Sequence, residues 1–104
     1  MAPAPNRLDS VNVQNSMSVP VNVTVVFDNH KDKVELQEEH EISPGCNYHF
    51  QEKILDMGSW TAIAPVKKVS VVHGNGSHYL EPSVSGVTKK IDVNVTSDGQ
   101  LAIV

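Results

Sequence analysis

Hydrophobic and polar residues alternate along most of this chain with a period of two. In the segment 21–28 the odd positions hold Val, Val, Val and Phe, and the even positions hold Asn, Thr, Val and Asp. The segment 91–96 repeats the pattern, with Ile, Val and Val at the odd positions and Asp, Asn and Thr at the even ones. Because successive side chains of a strand point to opposite faces, this alternation predicts strands with one buried face.

Turn signals divide the chain into nine predicted strands. Pro and Gly recur between the alternating segments about every ten residues, a spacing typical of an antiparallel β-sandwich of jelly-roll or immunoglobulin-like form. No segment has a convincing helical period. The predicted strands are Leu8–Gln14, Val21–Asp28, Lys33–Ile42, Asn47–Leu55, Ser59–Ala64, Val66–His73, Ser77–Leu80, Val84–Val95 and Gln100–Val104.

Length and composition agree with one all-β domain. The chain has 104 residues, the usual size for a single hydrophobic core. It contains 17 Val against five Leu and five Ala, which favours sheet over helix. We expect residues 1–7, with two prolines and little to bury, to form a loose tail, and residues 8–104 to form the domain.

The net charge and the lack of long apolar segments restrict the partners that this protein can bind and the compartment in which we expect it. A net charge of −4 argues against a nucleic-acid partner, since phosphate binding needs a dense basic surface. No apolar run approaches the roughly 20 residues of a membrane span, and the N-terminus lacks the apolar core of a secretory signal. We therefore expect no membrane insertion, and a protein that is cytoplasmic or secreted without a signal peptide. The single cysteine, Cys46, cannot form an internal disulfide and is expected to be a buried or semi-buried thiol.

The loops sort into two ends if consecutive strands run antiparallel. One end then collects residues 15–19, 43–46, the Pro65 corner and 81–84, and the other collects 28–32, 55–58, 74–77 and 97–99. The second end concentrates hydrogen-bonding side chains, and binding residues of β domains usually lie on loops held by a rigid scaffold. These side chains are Asp28, Asn29, His30, Asp32, Asp56, Asn75 and Asp98, flanked by His73 and His78. The alternative is that Asp, Asn and Gly stand there as turn formers.

No metal or catalytic centre is predicted. His73 and His78 lie on either side of a Gly-Asn-Gly turn, but zinc needs a third ligand that the sequence does not specify. Calcium stays an alternative, since aspartates supply the oxygens it prefers, although turn chemistry explains each of them. The chain has no nucleophile elbow or phosphate-binding glycine loop, so we expect a protein that is not an enzyme. The calcium alternative uses Asp28, Asp32, Asp56 and Asp98.

Two aromatic residues lie close to the polar loops. Sugar rings have apolar C–H faces that stack on aromatic rings, while their hydroxyls need amide and carboxylate partners. Trp60 or Tyr79 would supply the stacking surface, although a lone Trp in a β domain is more often part of the core. The predicted carbohydrate-binding residues are Asp28, Asn29, Asp56, Trp60, Asn75, His78 and Tyr79.

The whole chain resembles the small all-β haemagglutinins of plasmodial slime moulds. The resemblance rests on the 104-residue length, the Met-Ala start, the single Trp60 and the Val-rich run Pro20–Phe27. It implies a lectin that binds glycans or glycoproteins and agglutinates cells, but it carries no binding motif onto these positions. Agglutination would need a homodimer or more than one site per chain. The alternative is a non-catalytic protein-interaction module that uses a strand edge or a sheet face.

Overall fold

The computed structural model describes residues 7–29, 35–74, 76–82, 84 and 86–104, and these residues form two four-stranded sheets and one separate hairpin. The strands are β1 (Arg7–Asn15), β2 (Val21–Phe27), β3 (Leu36–Ile42), β4 (Asn47–Phe50), β5 (Lys53–Asp56), β6 (Thr61–Ala64), β7 (Val66–His73), β8 (Gly76–Leu80), β9 (Val87–Val95) and β10 (Leu101–Ile103). The first sheet has the order β10-β9-β1-β4 and the second the order β3-β2-β7-β8, while β5 pairs with β6. The all-β sandwich expected from the sequence is confirmed.

The core lies between the inward faces of the two sheets. Val21, Val23, Val25 and Phe27 of β2 are almost fully buried, as their alternation predicts. Val11 and Val13, Val69 and Val71, and Val93 and Val95 contribute equivalent pairs from β1, β7 and β9. Side chains that stand on facing pleated surfaces in this way bury the hydrophobic face of both sheets together. The hydrophobic effect is therefore the main force that holds the sheets together.

Two strand predictions change in the structure. The segment Asn47–Leu55, predicted as one strand, is two strands, because residues 51–52 leave the first sheet before β5 begins. β9 pairs with β1 in the parallel direction, in contrast to the other strand pairs of the described residues. Both changes depend on which strands pair with one another. The alternation of hydrophobic and polar residues along the sequence therefore predicts neither of them.

The ends of several elements also differ from the sequence prediction. Arg7 belongs to β1 rather than to a tail, while residues 1–6 lie outside the described residues. The described part of the third strand begins at Leu36, and residues 30–34 lie outside the described residues. Cys46 is exposed, so the expectation of a buried or semi-buried thiol was wrong. It follows the turn at Ser43–Gly45, where Gly45 adopts a positive φ of 76° and the chain turns into β4.

None of the described residues forms a helix of the length and hydrophobicity needed to cross a membrane.

Candidate functional site

The loops meet at two ends, but their grouping differs from the one predicted. At one end the amide of Ser16 donates to the carbonyl of Val95, and the amide of Gly45 donates to the carbonyl of Asn15. His73 lies 3.3 Å from the carbonyl oxygen of Gly99, which brings the β7–β8 and β9–β10 turns to this same end.

Asp28 lies at the other end, where its amide donates to the carbonyl of Pro65. The predicted single cluster of polar loops was therefore wrong. The extra strand in the segment Asn47–Leu55 reverses the end at which the Pro65 corner and the β7–β8 and β9–β10 turns emerge, so a count of nine strands places them at the wrong end.

The predicted site residues fall into separate groups. Asp28 is exposed and Asn29 is buried at one end of the sandwich, whereas Asn75 lies outside the described residues. Asp56 and Trp60 share one turn, in which the Asp56 carboxylate accepts the amide of Gly58 at 2.9 Å. Their roles in carbohydrate binding stay predictions.

His78 and Tyr79 follow each other on β8 and therefore lie on opposite faces of the second sheet. His78 pairs in register with the buried Val71, and its ring stacks against that of His73 at 5.8 Å between centroids. Tyr79 pairs with Ser70 on the outward face, and 67% of its surface is exposed. The structure thus separates the two residues that the sequence places side by side.

Tyr79 stands at one end of a row of polar side chains that crosses the second sheet. The strand register places Tyr79 of β8 beside Ser70 of β7, Ser70 beside Thr24 of β2, and Thr24 beside Glu39 of β3. The Thr24 hydroxyl donates to the Glu39 carboxylate at 3.4 Å. Asn22 and Val72 form the neighbouring outward pair. We call these six residues the Tyr79 face.

The Tyr79 face combines an aromatic ring with hydroxyl, carboxylate and amide groups on a rigid scaffold. The ammonium group of Lys68 lies 5.5 Å from the centre of the Tyr79 ring, a cation–π distance. The positive charge therefore lies over the ring, and hydrogen-bonding groups lie along the row. Such a surface can stack against a flat apolar ligand face and bind its polar edge.

Sequence reasoning selected Tyr79 but missed its partners. Ser70, Thr24 and Glu39 are polar residues at outward positions of strands, whereas the predicted site consists of polar loops and the aromatic residues next to them. The alternation does show that these three side chains face outward. That they form one row depends on the strand order and register of the second sheet, which the sequence alone does not reveal.

No group of three or more His, Cys, Asp or Glu residues that could hold a metal ion occurs within the part of the chain that the structure describes. Asp28 and Asp98 lie at opposite ends of the sandwich, because Asp98 belongs to the turn that precedes β10. Asp28 and Asp98 therefore cannot bind the same calcium ion. Asp32 lies outside the described residues.

β3 and β4 are edge strands of different sheets, and a polar and aromatic cluster connects them. The Tyr48 ring stacks on His40 at 3.7 Å between centroids, and its hydroxyl donates to the Glu38 carboxylate at 3.0 Å. Lys53 also donates to Glu38. Burial raises the pKa of the Glu38 carboxyl, but the hydrogen bonds from Lys53 and Tyr48 lower it by more, so the pKa lies below its usual value.

Glu38→Gln is expected to lower the free energy of unfolding at neutral pH and to have a smaller effect in acid. A carboxyl whose pKa is depressed in the folded state stabilises it above the unfolded pKa, and this contribution is lost as pH falls through the folded pKa. The usual Glu pKa of 4.5 is the upper limit of the pH range in which this stabilisation is lost. Urea unfolding at about pH 7 and about pH 3 measures the difference.

The matched control is Glu41→Gln, an exposed glutamate of the same strand. We expect this variant to differ from the unmodified protein by no more than about 0.5 kcal/mol at either pH. An equal loss for Glu38→Gln at both pH values would contradict the role assigned to its charge.

Comparison with known proteins supports the fold. No family model matches the chain, and a search of curated proteins finds no match. Among solved structures, the chain is similar to the NMR structure of a protein from Eubacterium rectale, with 14% sequence identity and a TM-score of 0.51. The similarity covers 91% of this chain and 86% of that chain. At this identity the likeness concerns the architecture of the chain.

Proposed function

We propose that this protein is a lectin, a non-catalytic protein that binds glycans through the Tyr79 face. The observation that carries the proposal is the exposed Tyr79 ring, held on a four-stranded sheet at the end of a row of hydrogen-bonding side chains. The apolar face of one sugar ring stacks on Tyr79. Its hydroxyls bond to Ser70, and the next sugar units of the same glycan bond to Thr24 and Glu39, because neighbouring strands of a sheet lie about 4.8 Å apart.

The chemistry of the row suits a sugar better than a purely apolar ligand. Ser70 and Thr24 each offer a hydroxyl that donates and accepts, and the Glu39 carboxylate accepts only. Sugar hydroxyls also donate and accept, so they can satisfy both kinds of group. Lys68 adds an ammonium donor that lies over the Tyr79 ring. Sheet residues lose little freedom on binding, which reduces the entropic cost of the complex.

Tyr79→Ala is expected to weaken glycan binding at least about tenfold, equivalent to ~1.4 kcal/mol. The stacking surface is lost, while the fold is retained because Tyr79 is exposed on an edge strand. Tyr79→Phe keeps the ring and is expected to retain most of the affinity. The measurement is a glycan array followed by titration of the best ligand.

The variant Trp60→Ala tests whether the sugar stacks on Trp60 rather than on Tyr79. If Tyr79→Ala binds normally and Trp60→Ala does not, the platform is the β5–β6 turn and the assignment to the Tyr79 face is wrong. An array run with calcium and again with EDTA shows whether a metal is required. If the unmodified protein binds no glycan in either condition, the lectin proposal fails.

The β5–β6 hairpin supports a second candidate function, a protein-interaction module. Ile54 of β5 is 64% exposed, and Trp60 in the turn between β5 and β6 is 58% exposed. These two strands pair only with each other among the described strands. Exposed aromatic and aliphatic side chains of this kind are enriched in protein interfaces. We expect the Ile54→Ser variant to lose binding of a protein partner at this hairpin. Free sugar should leave binding of that partner unchanged.

A further inference from the structure

β8 is an edge strand of the second sheet, and its second edge is free. It pairs with β7 on one side, and no other described strand pairs with it. An edge strand presents a row of backbone N–H and C=O groups to which another strand can add. The free edge of β8 is therefore a surface on which a further strand can bind.

The register of β8 shows which of its backbone groups face the free edge. His73 pairs with Gly76 across a connection of two residues, and the residues that flank such a connection form a hydrogen-bonded pair. Hydrogen-bonded and non-hydrogen-bonded pairs alternate along an antiparallel ladder, so His78 also bonds to β7. Ser77 and Tyr79 therefore direct their N–H and C=O groups away from β7, toward the free edge.

The free edge of β8 lacks the charges that protect many strand edges. The strand Gly76–Leu80 contains no Lys, Arg, Asp, Glu or Pro, the residues that commonly block the addition of another strand. The opposite edge strand of the same sheet, β3, contains Glu38, Glu39 and Glu41, and Glu38 is bonded to Tyr48 of β4. The two edges of the second sheet therefore differ, and β8 is the uncharged one.

The first sheet adds a second uncharged edge on the same side of the sandwich. β10 is an edge strand, contains no charged residue and contacts β8. Ile103 of β10 pairs with the buried Val93, so its side chain is on the inward face, yet 50% of its surface is exposed. The described residues thus leave this side of the sandwich partly uncovered. We call the edges of β8 and β10 together the β8–β10 side.

We infer that the β8–β10 side binds the same side of a second copy of this chain. The two β8 strands run antiparallel about a twofold axis at His78, so that Ser77 of each copy lies opposite Tyr79 of the other. Because both residues direct their backbone groups to the free edge, this register forms four hydrogen bonds between the strands. The same axis places the two β10 edges side by side, with the half-exposed Ile103 of each copy at the contact.

The distribution of charge favours this side for contact between two copies. The net charge of −4 makes two copies repel each other, and contact through β3 would bring its glutamates together. Contact through β8 and β10 buries no charged side chain of either strand and therefore avoids the cost of desolvating one. The pairing also sets the small Ser77 against the large Tyr79. A twofold contact of this kind is complete with two copies.

The inferred dimer joins two Tyr79 faces into one surface, a consequence that rests on the proposed function. The two second sheets become one continuous sheet, and both Tyr79 rings lie on its outward face. Each Tyr79 is a diagonal neighbour of the other, about 7–8 Å apart. Ser77 of the second copy adds a hydroxyl beside each ring. A glycan of several sugar units can therefore contact residues of both copies.

The first test is sedimentation of the protein without glycan at about 10 μM to about 1 mM, the range expected for a small interface. We expect the mass to rise with concentration from 11.3 kDa to twice this value. Ser77→Pro removes an N–H group that bonds to the second copy, and an edge strand tolerates Pro where its N–H faces outward. This variant is expected to stay monomeric. Ser77→Ala is the matched control, since it keeps the N–H group and should dimerise normally.

A disulfide tests the register and does not depend on the folding of Ser77→Pro. Cys46 is exposed and is first replaced by Cys46→Ser. His78→Cys then places two thiols opposite each other at a non-hydrogen-bonded pair, where the Cα atoms lie about 4.5 Å apart, close enough for a disulfide. We expect mild oxidation to give a covalent dimer. Gln14→Cys, at an exposed position of β1, is the control and should give much less.

The inference is overturned if the unmodified protein stays monomeric at about 1 mM. It is also overturned if Ser77→Pro dimerises as well as Ser77→Ala, or if His78→Cys cross-links no better than Gln14→Cys. A glycan array separates these results from the lectin proposal. A protein that dimerises but binds no glycan keeps the interface and loses the lectin function, whereas a monomer that binds glycans through Tyr79 does the reverse.

Discussion

Phe27→Ala is expected to lower the free energy of unfolding by about 3–5 kcal/mol, the usual cost of removing a buried phenylalanine. Phe27 is fully buried at the end of β2, in the core between the two sheets. The strand register is irregular at this point, because the pairing with β7 shifts between Val26 and Phe27. A closely packed core cannot collapse fully into the space that the ring leaves.

A loss of this size is a large part of the 5–15 kcal/mol by which a domain is usually stable. Urea unfolding followed by far-ultraviolet circular dichroism measures it. Val87→Ala, at an exposed position of β9, is the control and should change stability by less than about 0.5 kcal/mol. A loss under about 1 kcal/mol for Phe27→Ala would contradict the position of Phe27 in the core.

Asn15→Asp is expected to cost at least about 3 kcal/mol at neutral pH, because buried polar groups lose their partners and a charge is buried. The Asn15 side chain is buried at the end of β1. Its amide donates to the carbonyls of Val19 at 2.8 Å and Ile42 at 3.0 Å, and its oxygen accepts the amide of Met17 at 2.9 Å. One side chain therefore ties β1 to the connection that follows it and to the end of β3.

Aspartate keeps the acceptor for Met17 but turns a second oxygen toward two carbonyl oxygens. Both donated hydrogen bonds are lost, and like partial charges face one another. The pKa of the new carboxyl is expected to be raised, since the folded state favours its neutral form. The difference in free energy of unfolding between Asn15→Asp and the unmodified protein should therefore decrease as pH falls through that raised pKa.

Gln14→Glu is the matched control, because it makes the same chemical change at the preceding, exposed position of β1. We expect it to change stability by less than about 0.5 kcal/mol. Urea unfolding at neutral and acid pH measures both variants. Equal stability of Asn15→Asp and Gln14→Glu at neutral pH would contradict the role of the Asn15 amide.

The candidate binding residues were only partly predictable. The sequence predicts Tyr79 as a binding residue because it is aromatic and near polar positions, and Tyr79 lies exposed on the second sheet. Its partners Ser70, Thr24 and Glu39 come from three other strands, and they become neighbours only through strand pairing. The same is true of Asn47, Asn12 and Asp92, whose side chains hydrogen-bond in series on the first sheet although they are far apart in the sequence. Short-range patterns contain no information on such pairings.

By itself the sequence determined that the chain is all-β, where most strands lie, and which of their side chains face inward. These properties are local, since a period of two selects one face of a strand whatever its neighbours are. The tertiary structure alone decided that Asn47–Leu55 divides into β4 and β5, that β1 and β9 run parallel, and that Asn15 is buried. It also decided which polar side chains meet, because strand order and register depend on contacts between residues distant in sequence, which form only when the two sheets pack.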